Sequence, residues 1–187
     1  MSTILTKSEL SQIARSGSRP FSKELALAKV EITRNMQQRS SKSSSIFLSH
    51  SHKDKEAFEN FAAILEQLDV NVYIDWLDED MPYPPTGRTA TRLKQAIKLN
   101  KKFILVATNN AIESKWCNWE LGLGDAAKYI DNIAIMPIAD NTNVWSGNEY
   151  LQIYPYIEKN SKMWEYDNYS VVFPDGTKID LKAWLKN

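Results

Sequence analysis

The chain has 187 residues, 43% of them hydrophobic and 25% charged, with a net charge of zero. That balance suits one domain with an appendage and is enough to bury a core without staples. The single cysteine, Cys117, excludes an intrachain disulfide. No stretch approaches the roughly 20 apolar residues of a membrane span, and Met1 to Leu10 is too polar for a signal peptide. A soluble, cytoplasmic protein without membrane contact is expected.

The charge is unevenly spread. Residues 1–42 carry eight Lys/Arg and three acids, so the remainder is acidic. The basic residues are scattered and not interleaved with stacking aromatics, which speaks for a solvated helical extension and against a nucleic-acid tail. Residues 1–39 read as helical and separate. Thr6-Lys7-Ser8-Glu9 has the form of a capping box. Gly17 to Pro20 breaks the first helix, and a second is predicted from about Phe21 to Gln38. Ser40 to Ser45 reads as a linker. The expected division is an extension over residues 1–43 and a domain over 44–187.

Past the linker, strands alternate with helices. Ser45 to Ser49 is a short apolar run of strand length. Lys53 to Leu68 reads as a helix with Phe58, Phe61, Leu65 and Leu68 on one face, and Ser51 with Asp54 offers a cap. Val70 to Asp75 is a second strand, and Trp76 to Gly87 a loop holding Pro82, Pro84 and Pro85. Arg88 to Leu99 is a helix, Phe103 to Thr108 the clearest buried strand, Ser114 to Tyr129 a helix, and Ile133 to Ile138 a fourth strand. Tyr150 to Ile157 fits either a short helix or a strand. Val171 to Ile179 reads as a hairpin across Pro174-Asp175-Gly176, and Asp180 to Lys186 as a final helical turn or two. Apolar strands alternating with helices imply a parallel sheet covered on both faces.

Ligands of such sheets bind at the carboxyl ends of the strands. Those ends are Ser49-His50, Asp75-Trp76, Thr108-Asn109-Asn110 and Ala139-Asp140. The helix carrying Trp116 and Glu120 starts just past the third. Residues four apart share a helix face, so an acid is offered beside an indole. Taken alone, Glu120 reads first as a solvated acid near a helix start, where the dipole favours it. Trp116, Trp119, Gly122 and Gly124 argue for a close approach of backbone or ligand, since glycine weakens a helix interior. Gly122-Leu123-Gly124-Asp125-Ala126-Ala127 matches a dinucleotide-loop pattern, but it lies inside a helix rather than at the turn after a strand. No Walker loop is present. His50 and His52, with one cysteine, make no zinc set without acids.

Ile46-Phe47-Leu48-Ser49-His50-Ser51, the Asp75-Trp76 strand end, the proline-rich loop and Ser114-Lys115-Trp116-Cys117-Asn118-Trp119-Glu120-Leu121 together resemble a bacterial TIR domain. The resemblance covers about residues 44–187. It implies an α/β, flavodoxin-like three-layer fold with about five parallel strands, here with an N-terminal helical extension and a C-terminal hairpin. It implies cleavage of NAD+ between nicotinamide and ribose, with Glu120 as the catalytic carboxylate and Trp116 as the tryptophan of the W-x-x-x-E motif. Phe47, Ser49, His50, Asp75, Trp76 and Arg88 become candidate substrate contacts. NAD+ is substrate, and no cofactor or metal is implied. The loop from Trp76 to Arg88 would mediate TIR–TIR self-association. A TIR enzyme without an attached effector resembles those of Thoeris-type antiphage systems, in which a separate nucleotide-sensing effector reads an ADP-ribose-derived, possibly cyclic, signal. Two readings compete: a non-catalytic interaction module, adaptor or host-signalling mimic, and a nucleoside deoxyribosyltransferase relative of similar fold.

Overall fold

The computed structural model describes residues 4–16, 45–68, 71–73, 87–142, 144–147, 149–160 and 168–187. The predicted helix from Phe21 to Gln38, the linker up to residue 44, and the loop over residues 76–86 lie outside them. Strand β1 (Leu5–Thr6) leads into helix α1 (Lys7–Ser16). Then follow β2 (Ser45–Ser49), a 3-10 turn (His52–Asp54), α2 (Lys55–Gln67), β3 (Asn71–Tyr73) and α3 (Gly87–Leu99). The chain continues through β4 (Lys102–Ala107), α4 (Asn109–Glu113), α5 (Lys115–Ala127) and β5 (Ile133–Ala139). A 3-10 turn (Glu149–Ile153), β6 (Tyr156–Lys159), β7 (Tyr169–Val172), β8 (Lys178–Asp180) and α6 (Leu181–Lys186) complete it.

The sheet runs β3-β2-β4-β5-β6-β7-β8, with β1 beside β5. The path from β3 to β6 is parallel, and β7 and β8 are antiparallel additions. This is the expected doubly covered α/β architecture. Its cause is visible in the two-residue period of the strands. Ile46, Leu48, Ile104, Val106, Ala134 and Met136 pack with Leu10, Phe58, Phe61 and Trp184 on one face. Phe47, Phe103, Leu105, Ile133 and Ile135 pack with Leu93, Ile97, Cys117 and Leu121 on the other. Every residue of β2, β4 and β5 is buried, as a strand covered on both sides requires.

Local signals set several boundaries. The Thr6–Glu9 capping box forms in both directions: the Thr6 backbone N–H donates to Glu9 Oε2 at 2.8 Å, and the Glu9 N–H to Thr6 Oγ1 at 3.2 Å. Asp180 caps α6 by accepting the Ala183 N–H at 2.9 Å. The predicted hairpin turns at Gly176, whose φ of 85° is open to glycine at no steric cost.

Two expectations are corrected. The first segment is not separate from the sheet over residues 5–16: Leu5 and Thr6 pair in parallel with Ile138 and Ala139, and Leu10 and Ile13 join the core beside α2. A two-residue strand carries no periodicity to read. The segment around Tyr150 to Ile157 is neither helix nor strand alone. It is a 3-10 turn followed by a strand, switching at Pro155, whose carbonyl accepts the Ile135 N–H at 2.8 Å.

Candidate active site

The carboxyl ends of β2, β4 and β5 meet at one edge of the sheet. β2 ends in Ser49, and strand alternation turns Ser49 and its successor to opposite faces. Ser49 faces α5. Its hydroxyl donates to Glu120 Oε2 at 2.6 Å, and both side chains are buried, Glu120 to 6% exposure. An O–H donor this close to a carboxylate oxygen has the length of a charge-assisted bond. The solvated reading of Glu120 is therefore set aside: the acid lies between its helix and the strand end.

The approach of α5 has local causes. Ser114 caps the helix, its hydroxyl accepting the Cys117 N–H at 3.3 Å. Cys117, Glu120, Leu121 and Gly124 form its buried face. Gly124 lets the helix sit down on the sheet, because a Cβ there would lie 3.1 Å from the Phe103 ring. Gly122 faces open space, so only one of the two glycines answers to a close approach.

The other candidates distribute around this pair. Trp116 is 42% exposed on the first turn of α5, one turn before Glu120, and meets Trp119 edge-on with centroids 5.3 Å apart. With Ala90 and Lys115 these indoles line a recess of about 380 Å³. Lys94 places its ammonium 5.8 Å from the Trp119 centroid, a cation–π geometry. Phe47 is 1% exposed and stacks on Phe103 at 5.5 Å and 12°, a core position beneath the site. His50 turns to the α2 face, where its ring lies 4.0 Å from that of Phe58 and 5.5 Å from that of His52. Arg88 is exposed on the first turn of α3. Asp75 and Trp76 lie outside the described residues. Ser49 and Glu120 are thus joined directly, Phe47 packs beneath them on the same sheet face, Trp116 lies one helical turn from Glu120 in a recess lined by other residues, and His50 diverges to the opposite face. Among the described residues, no group of three His, Cys, Asp or Glu side chains is placed to hold a metal.

A second buried acid, Asp54, did not stand out from the sequence as more than a cap. Its Oδ2 accepts the Thr108 hydroxyl at 2.6 Å, and its Oδ1 accepts the Asn110 amide at 3.0 Å and the Lys7 ammonium. Burial pushes this carboxyl up, but the bonds from Lys7, Thr108 and Asn110 and the lysine charge outweigh it and hold it below 3.8. The available signal was an acid placed shortly after one strand end, together with the polar run Thr108 to Asn110 at the next. Thr108 also caps α4, accepting the Ala111 N–H at 3.1 Å, so a short helix precedes the predicted one.

Known proteins resemble the chain over most of this sheet. A family model described as TIR domain matches residues 46–169, more than half of the chain. A "Probable 3' cyclic ADP-D-ribose synthase ThsB'" of Bacillus cereus (strain MSX-D12) is 32% identical over 120 residues, covering 62% of this chain and 61% of that protein. A "Putative cyclic ADP-D-ribose synthase TIR2" of Cytobacillus dafuensis is 32% identical over 79 residues, covering 41% of this chain and 21% of that one. The chain therefore spans less than two thirds of either relative's own length. The covered parallel sheet and the matched stretch place the chain in the TIR domain family.

Proposed function

We propose that this chain cleaves the nicotinamide–ribose bond of NAD+, with Glu120 as the catalytic carboxylate, and releases an ADP-ribose-derived product that is cyclic in the manner its relatives' names indicate. The observation that carries the reading is the buried Glu120 carboxylate, held at 2.6 Å by Ser49 at the carboxyl edge of the sheet.

The chemistry follows from the substrate. Nicotinamide in NAD+ is cationic and departs neutral, so the leaving group needs no proton. One carboxylate then suffices, where ordinary glycosidases use two. As the bond breaks, positive charge develops on the ribose, and a preorganised carboxylate in a water-poor site stabilises it. The Ser49 hydroxyl fixes that carboxylate's orientation. Trp116, one turn before Glu120, meets Trp119 edge-on, and the two indoles offer an apolar surface suited to a flat ring. Arg88, on the first turn of α3, is suited to the pyrophosphate. As nicotinamide leaves with the bonding electron pair, a hydroxyl of the ADP-ribosyl group itself attacks the ribose carbon and gives its proton to solvent, closing the cyclic product; water attacking the same carbon, with the same loss of a proton, would give the linear one.

The biological role supported best is production of a signal in antiphage defence, read by a separate nucleotide-sensing protein, with self-association through the loop over residues 76–88. The relatives' names support a cyclic ADP-ribose-type signal; the antiphage role, the reader protein and the self-association rest on the family resemblance alone. The test is release of nicotinamide from NAD+ by purified protein, with the nucleotide product weighed by mass spectrometry. Glu120→Gln should abolish release while keeping the melting temperature; release at the parent rate would overturn the assignment. An adaptor reading would require the Glu120→Gln protein to retain its full biological effect.

A further inference from the structure

We propose that Asp54 and Lys7 are positioning residues for the Ser49–Glu120 pair, so that the chain's first strand and helix are a working part of the site. The inference rests on the reading of Glu120 given above.

Asp54 stands where three strand ends meet. It closes the turn that leaves β2, its backbone N–H donating to the Ser51 carbonyl at 2.9 Å. That turn is capped by Ser51, two residues after Ser49, the strand residue that holds Glu120. The Asp54 carboxylate reaches across to the end of β4 through Thr108 and Asn110. Thr108 caps α4, and α4 runs into Ser114, the cap of the helix that carries Glu120. One carboxylate therefore fixes both members of the pair, from the strand side and from the helix side.

The third strand end enters through Lys7. Thr6 is paired with Ala139 at the end of β5, and the Ser8 N–H donates to Asn141 Oδ1 at 3.2 Å. Held on both sides, Lys7 places its ammonium on Asp54, whose side chain is 3% exposed. A carboxylate so far out of water needs a charged or hydrogen-bonding partner, and removing the partner leaves an uncompensated charge. Lys7 lies outside residues 46–169, the stretch matched by the family model. Its role belongs to this chain's own N-terminal segment.

A residue that acts through geometry affects the transition state more than ground-state binding. A displacement of about 1 Å in a catalytic group costs about 100-fold in rate. The experiment compares Lys7→Met, Lys7→Arg and Asp54→Asn with the parent in nicotinamide release, alongside hydrogen–deuterium exchange and thermal melting. Lys7→Met is expected to lower kcat by roughly 10- to 100-fold with KM changed less than about threefold, and Lys7→Arg to restore most of it. Exchange should quicken at residues 49–54 and 108–114 and stay unchanged in β6 to α6. Parental kcat in a folded Lys7→Met protein overturns the proposal, as does an equal loss in Lys7→Arg. If Lys7→Met does not fold, the same comparison is read from Asp54→Asn. Should the parent release no nicotinamide, the proposed function fails by itself, and exchange alone decides: unchanged protection at the two segments overturns the positioning role.

Discussion

Helix α5 offers a paired test, because two glycines one residue apart meet opposite surroundings. An alanine Cβ at position 122 touches nothing within 4 Å. Gly122→Ala should then gain the full helix propensity difference, about 1 kcal/mol. At position 124 the Cβ falls 3.1 Å and 3.2 Å from two atoms of the Phe103 ring. That ring cannot swing away: it is fully buried and stacked on Phe47, itself 1% exposed, at 5.5 Å. Overpacking of this kind costs about 1–3 kcal/mol. Set against the same propensity gain, Gly124→Ala should lie between neutral and about 2 kcal/mol destabilised. In a chain of this size 1 kcal/mol moves the melting temperature by about 2–4 °C. Urea unfolding of the two variants and the parent measures the difference. The strain also has a direction, through Phe103 to Phe47 and along β2 to Ser49, so Gly124→Ala should slow NAD+ cleavage while Gly122→Ala leaves it intact. Equal stabilisation by both substitutions would show that the Phe103 contact exerts no pressure and would refute the reasoning.

Ser49→Ala removes a donor at 2.6 Å from a buried carboxylate; a charge-assisted bond is worth about 1.5–3 kcal/mol, so nicotinamide release should fall roughly 10- to 100-fold if that energy is expressed in the transition state. Asp54 is held below its ordinary 3.8, since its bonds to Lys7, Thr108 and Asn110 outweigh burial. The unfolded chain therefore takes up a proton first as pH falls, so the group's stabilisation is complete above about pH 4 and disappears as pH drops through the folded value. Asp54→Asn should flatten that part of the acid limb in urea midpoints measured from about pH 5 down to about pH 2. Burial depresses Lys128, which donates to the Asn100 carbonyl, from 10.5 to about 8. The folded state holds the charged form at a disadvantage that disappears as pH rises from 8 to 10.5. Lys128→Met should abolish that alkaline gain relative to the parent, read as the difference in urea midpoint at pH 7 and pH 10.5.

What the sequence disclosed and what it withheld divide along the range of the interactions involved. Strands β2, β4 and β5 were legible because burial on two faces writes an unbroken apolar run. The Thr6–Glu9 box and the Gly176 turn were legible because their hydrogen bonds close within a few residues. Strand β1 was not, because its two residues acquire meaning only against Ile138 and Ala139. The short helix α4 hid behind Thr108, whose hydroxyl serves as cap while its position reads as a strand end. The Asp54 junction was the least legible, since its partners lie 47, 54 and 56 positions away.

The two buried acids at this edge show why the same residue type invites different readings. Taking a carboxylate from water costs several kcal/mol unless partners compensate. At Asp54 a lysine of the N-terminal helix, and a hydroxyl and an amide at the start of α4, supply that compensation. Such a group is fixed by what it joins, and its value to the protein is rigidity. Glu120 is set by a serine hydroxyl at the end of the neighbouring strand, beside an indole pair open to solvent on its outer side. A carboxylate desolvated at a sheet's carboxyl edge is suited to meet positive charge that develops during a reaction, because its field is not screened there by water. The frame and the reactive group are distinct. On the proposed reading they are coupled through Ser49 and Thr108, so a change at Lys7 should register in nicotinamide release at position 120.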